Sequence, residues 1–169
     1  MTDYFSFFDL RPAPILDQAA LKKAFYANSK RFHPDFHTLS DPETQAEILE
    51  KSTLNNRAYK VLADDDQRLK HLLELKGVLG EEGQNSVPQD FLMEIMEVNE
   101  ALMELELDDD PIVREKVTGL IDQLEASLER EVEEVLAEYD DNRVGAEELA
   151  RLKDYYLKRR YLLRLREKL

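Results

Sequence analysis

An all-α fold in two helical units is predicted by three observations: how few turn-forming residues the chain has, how many charges it has, and where its charge changes. Glycine and proline together number 11 of 169 residues, and 36% of residues are charged, a composition that suits helices better than strands and tight turns. Residues 1–77 carry 11 basic and 12 acidic groups, residues 88–141 carry 3 and 19, and residues 142–169 carry 9 and 4. Between the first two blocks, residues 78–87 hold two of the five glycines and follow directly on Gly77, so they read as a linker. The expected organisation is an N-terminal unit over 1–77 and a C-terminal three-helix bundle over 88–169.

Each element has a local signal. Tyr4, Phe5, Phe7, Phe8 and Leu10 form an aromatic cluster with room for one short helix. Asp17 caps a helix to Phe32, with Leu21, Phe25, Asn28 and Phe32 at helical spacing. That helix must stop before Pro34, which disfavours helical geometry at His33. Ser40 or Asp41 caps a second helix, Pro42 fits its first position, and Leu49, Tyr59 and Leu62 recur along it to Ala63. Asp64, Asp65 and Asp66 open a third helix, with Leu69, Leu72, Leu73 and Leu75, ending at Gly77. Two long helices joined by a polar loop predict an antiparallel hairpin.

In the C-terminal half, one helix is expected from Pro88 to Leu107. Asp108-Asp109-Asp110-Pro111 supplies the cap and first-turn proline of the next, on which Val117, Ile121, Leu124, Leu128, Val132, Val135 and Tyr139 form one stripe. Gly119, inside that helix, costs about 1 kcal/mol relative to Ala. After a turn at Asp140 to Gly145 comes a basic helix with Leu149, Leu152, Tyr156 and Leu163 on one face, partly neutralising the acidic pair.

Composition also excludes functions. With no cysteine there is neither a disulfide framework nor thiolate ligation of a metal or cluster. A net charge of −14 makes general nucleic-acid binding unfavourable. No apolar run approaches the roughly 20 residues of a membrane span, and Met-Thr-Asp-Tyr does not begin like an export signal. The expected setting is a soluble, reducing, cytoplasmic one, without a membrane partner.

His33-Pro34-Asp35 stands where the hairpin must reverse. Spacing alone leaves three readings open: a stiff helix terminator, a metal site with His33, His37 and Asp35, and a His–Asp catalytic pair. The metal reading lacks the i, i+4 context and a fourth ligand, and the catalytic reading lacks a nucleophile and a pocket.

On the acidic helix, Phe91, Ile95, Val98, Leu102 and Leu105 fall within an arc about 80° wide, the core face. Leu92, Met96 and Met103 lie roughly 80–160° from its middle, with Met93 beyond them beside Glu97, Glu100 and Glu104. Either the bundle buries part of this second stripe, or it is an exposed Leu and Met patch edged by carboxylates and suited to a protein partner.

The order of these features resembles a J domain: an aromatic segment, a helix with Lys22, Lys23, Lys30 and Arg31, then His33-Pro34-Asp35, a helix with Asn56, Ala58, Tyr59 and Leu62, and Arg68 beyond. Over essentially its whole length, linker and bundle included, the chain resembles the HscB family, the J-type co-chaperones of iron–sulfur cluster biogenesis. The resemblance implies no enzyme and no cofactor, but an activator of a DnaK-class ATPase chaperone (HscA-like). His33, Pro34 and Asp35 would carry the stimulation, and Lys22, Lys23, Lys30 and Arg31 the docking. It further implies that Leu92, Met93, Met96, Glu97, Glu100 and Glu104 hold an iron–sulfur scaffold protein (IscU-like). Tyr161 aligns best as the aromatic completing that face, with Tyr155 and Tyr156 as alternatives. Three positions depart from the J-domain pattern: Phe36-His37 where many carry Lys, Asp65 where Pro is common, and His71 in place of a Tyr. A general J-domain co-chaperone with a different client is the alternative.

Overall fold

The computed structural model describes residues 1–81 and 83–169; Glu82, within the expected linker, lies outside the described residues. The described residues are helical throughout their regular structure, as composition predicts. They divide into two compact units, Met1–Lys76 with Tyr139–Arg143, and Gly77–Glu138 with Val144–Leu169.

In the first unit, α1 spans Tyr4–Phe7, α2 Gln18–Arg31, α3 Pro42–Ala63 and α4 Asp65–Leu75. Each starts on an aspartate, Asp3, Asp17, Asp41 or Asp64, whose carboxylate accepts N–H groups of the first turn that have no partner within the helix. Helices α2 and α3 pack as the expected hairpin, and α1 and α4 both rest on α3. The core joins Phe5, Phe8, Leu21, Ala58, Leu62 and Leu72. Phe25 of α2 stacks on Tyr59 of α3, 4.2 Å between ring centroids. Burying such a side chain contributes about 1.5–3 kcal/mol.

Three buried polar residues tie this unit together, each bonded to a distant segment. Asn55 of α3 donates from Nδ2 to Phe25 O (3.2 Å) and Ser29 Oγ (3.1 Å) of α2. Arg68 donates from Nε to Pro14 O (2.8 Å) and from Nη1 to Leu62 O (2.7 Å), and its Nη2 pairs with Asp65. His71 accepts the Tyr4 N–H.

Two expected apolar positions, one on α3 and one on the long acidic helix, fall elsewhere. Leu49 is 61% exposed. At about 100° per residue it stands roughly 120–180° round α3 from buried Asn55, Ala58 and Leu62, on the side away from α2, whereas its neighbour Ile48 is half-buried. Tyr139 is not on the long acidic helix, which stops at Ala137; it packs against the aromatic core of the first unit. Its hydroxyl donates to Asp141 at 2.9 Å.

In the second unit, α5 spans Gln89–Glu94, α6 Met96–Leu107, α7 Pro111–Ala137 and α8 Ala146–Arg166. Helix α7, about 40 Å long at 1.5 Å per residue, packs against α6 on one side and α8 on another. The single helix expected from Pro88 to Leu107 is broken at Ile95 (φ −90°, ψ 1°). Neither Gly nor Pro marks the break; it falls at a β-branched side chain held wholly in the core. On α8 the buried set is Leu149, Leu152, Tyr155, Tyr156, Leu157, Leu162 and Leu165, with Leu163 only half-buried. The basic helix does neutralise part of α7: Arg166 meets both Asp122 and Glu125 at 2.8 Å.

Candidate functional site

Residue His33 follows the cap of α2 with the extended backbone (φ −73°, ψ 128°) that a residue before proline must take. Pro34 then opens a single 3₁₀ turn, Pro34–Phe36. The Asp35 N–H donates to His33 Nδ1 at 3.2 Å, so in the neutral ring the proton sits on Nε2. The carboxylate of Asp35 stands 3.7 Å from the same Nδ1, with side-chain exposures of 52% for His33 and 84% for Asp35. The tripeptide is therefore an open knuckle with a donor and an acceptor on the surface.

Its shape is held from both sides. His37 Nε2 lies 2.9 Å from Arg31 O, closing the turn onto the end of α2. Gln45 Nε2, on α3, donates to the carbonyls of His37, Thr38 and Ser40 at 3.1–3.2 Å. With His37 so engaged, no group of three His, Asp or Glu side chains suited to a metal occurs among the described residues. Lys22, Lys23, Lys30 and Arg31 are all exposed. Only Lys30 and Arg31 adjoin the knuckle, lining with Ala27, Phe36 and His37 a shallow hollow; Lys22 and Lys23 lie two turns back along α2. Phe36 and Leu39, 67% and 99% exposed, are apolar neighbours of the tripeptide that periodicity misses, since the loop has no period to read.

The second site lies on α5 and α6. Phe91, Ile95, Val98, Leu102 and Leu105 are buried, as the expected core face. The second stripe is exposed: Leu92, Met93, Met96 and Met103 at 40–66%. Glu97, Glu100 and Glu104 are exposed beside it. The three tyrosines of α8 separate by burial. Tyr155 and Tyr156 are in the core, their hydroxyls taking hydrogen bonds from Arg159 and Arg160 at 2.8 and 3.0 Å. Half-buried Tyr161 meets Phe91 of α5 edge to face, 6.0 Å between centroids.

An antiparallel helical hairpin with an exposed His-Pro-Asp at its reversal, followed by a separate helical unit, defines a J-domain co-chaperone. Comparison with known proteins narrows the class. Residues 87–169 match the family described as the HSCB C-terminal oligomerisation domain. The co-chaperone protein HscB homolog of Chromobacterium violaceum is 33% identical over 133 residues, 75% of this chain and 76% of that protein. That of Pseudoalteromonas atlantica is 29% identical over 170 residues, 98% of this chain and 96% of that protein. The human iron–sulfur cluster co-chaperone protein HscB is 33% identical over 76% of this chain and 57% of its own length. The crystal structure of human HscB superposes with a TM-score of 0.75 at 25% identity, covering 99% of this chain and 80% of that one. HscB from Vibrio cholerae gives 0.75 at 25% identity, over 98% and 94%. The chain belongs to the HscB family of co-chaperones.

Proposed function

We propose that this chain binds an iron–sulfur scaffold protein of the IscU kind on α5, α6 and Tyr161, and presents it to a DnaK-class chaperone of the HscA kind. It stimulates that chaperone's ATPase through His33, Pro34 and Asp35, and so promotes cluster transfer to recipient proteins. Hydrolysis occurs on the chaperone; this chain activates it and is not an enzyme. The observation that carries the reading is the pairing on one chain of an open His33–Asp35 knuckle with an exposed Leu92–Met96 ridge.

The division of labour follows from the chemistry of each site. At the knuckle, a stiffened turn offers donor and acceptor at little ordering cost, since Gln45 and His37 already fix the loop. Lys22, Lys23, Lys30 and Arg31 provide a basic approach to an acidic chaperone surface and would speed encounter more than they would add affinity. On the ridge, flexible Leu and Met side chains supply apolar contact, while Glu97, Glu100 and Glu104 select a partner whose patch is edged with Lys or Arg. Holding both partners raises the concentration each feels of the other. Without cysteine, the chain leaves the cluster on the scaffold.

The test is a coupled ATPase assay on purified chaperone, with and without this chain and the scaffold. Stimulation by the chain, further raised by scaffold, is expected. Stimulation with no measurable scaffold complex would instead favour a general J-domain co-chaperone with another client.

A further inference from the structure

The ridge does not end where the proposed scaffold contacts end. Within α6, at about 100° per residue, Met96, Met103 and Leu107 fall inside about 40° of arc, nearly opposite the arc holding Val98, Ala101, Leu102 and Leu105. They are 55%, 66% and 90% exposed, on the one side of α6 that its own bundle cannot cover. From Met96 to Leu107 the row runs about 16 Å at 1.5 Å per residue. Glu97, Glu100 and Glu104 flank it on one side, and Glu106 stands on the other.

We infer that the docking face for the scaffold continues along α6 to Met103 and Leu107, which act as further specificity-determining contacts. This rests on the scaffold-binding reading above. A standard protein interface takes roughly 20–30 residues from each side, and the seven positions on α5, α6 and Tyr161 are too few. The continuation is collinear with Met96, has the same apolar character and the same carboxylate rim. The occupant is a folded protein with an apolar patch bordered by Lys or Arg. A second copy of this chain is the poorer match, because residues 88–141 carry 19 acidic against 3 basic groups and two such faces repel.

The full-length chain, Met103→Ala/Leu107→Ala and Leu92→Ala/Met96→Ala are each titrated with the purified scaffold protein by calorimetry, and their sedimentation is measured alone. Unchanged thermal unfolding is expected for the first variant, since both side chains are exposed. Loss of scaffold affinity by tenfold or more in both variants is expected, with all three proteins sedimenting alike. If only Leu92→Ala/Met96→Ala weakens binding, the extension is overturned while the scaffold reading stands. If neither does, the scaffold reading itself fails, and the extension with it. A wild-type dimer that Met103→Ala/Leu107→Ala splits, with scaffold affinity intact, assigns the row to a second copy and overturns the inference.

Discussion

The backbone N–H of Tyr4 donates a 3.1 Å hydrogen bond to Nε2 of His71 while the two rings stack with centroids 4.4 Å apart. Phe5 also stacks on the imidazole, at 5.7 Å. A single side chain of α4 thus adds a hydrogen bond and two ring contacts to the packing of α1 on α3, and the hydrogen bond needs a neutral imidazole.

That requirement makes stability depend on pH. Burial lowers the His71 pKa below its ordinary 6.5, opposed by the charges of Asp3 and Glu74. Above pH 6.5 both folded and unfolded chains hold the neutral ring and nothing is lost. As the pH falls through 6.5, the unfolded chain binds a proton that the folded one resists, so stability drops, by at most about 1.4 kcal/mol per pH unit, until the folded pKa is passed. Urea titrations at pH 7.5 and 5.5 measure this; His71→Gln, uncharged at both, should show a smaller difference between them than the wild type.

Arg68 carries a second prediction. It is 3% exposed and its guanidinium fork bridges the Pro14 carbonyl, the end of α3 at Leu62 and the start of α4 at Asp65. Removing it strands two carbonyls and unties three segments. Asp65 is exposed and stays solvated, so the loss is that of the stranded carbonyls, about 1–3 kcal/mol each, and Arg68→Ala should cost about 2–4 kcal/mol. Arg68→Lys should recover only part, because one ammonium cannot reproduce a planar fork. Denaturant midpoints of the two variants check both values.

These two residues also mark where the sequence stops being readable. The caps Asp17, Asp41, Asp64 and Asp110 were legible because a cap acts on N–H groups two or three residues away. The knuckle was legible because proline constrains its immediate neighbour. Tyr4 lies 67 residues from His71 and Pro14 lies 54 from Arg68, and no local pattern announces either pairing. Leu49 differs: its own spacing sets it about 140° round α3 from Leu62, outside the buried stripe. The break falls at the buried Ile95, with neither Gly nor Pro to signal it. The exposed second stripe on α6 was visible as a surplus of apolar residues, but whether the bundle covered it depended on how α7 and α8 pack.

Gly119 offers a stabilising change. It lies in the middle of α7, and a Cβ added there meets nothing within 4 Å. Neither sterics nor a left-handed backbone requires glycine, so Gly119→Ala lowers the entropy lost on folding without a clash. The expected gain is about 0.5–1 kcal/mol, read as a higher denaturant midpoint with an unchanged m-value.

His33→Gln separates a working side chain from a structural one. The ring is about half exposed and accepts a hydrogen bond from the Asp35 N–H. A glutamine is uncharged and keeps an acceptor, while Pro34, His37 and Gln45 go on fixing the turn. Unfolding free energy should then move by no more than about 0.5 kcal/mol, as for other surface changes. Stimulation of the chaperone's ATPase should nevertheless be abolished, because the imidazole Nε2–H is gone from the knuckle, and scaffold affinity should be unaffected because the ridge is untouched. Measuring all three on the same preparation decides the matter. Retained stimulation would return His33-Pro34-Asp35 to the role of a helix terminator and remove the chaperone half of the proposal.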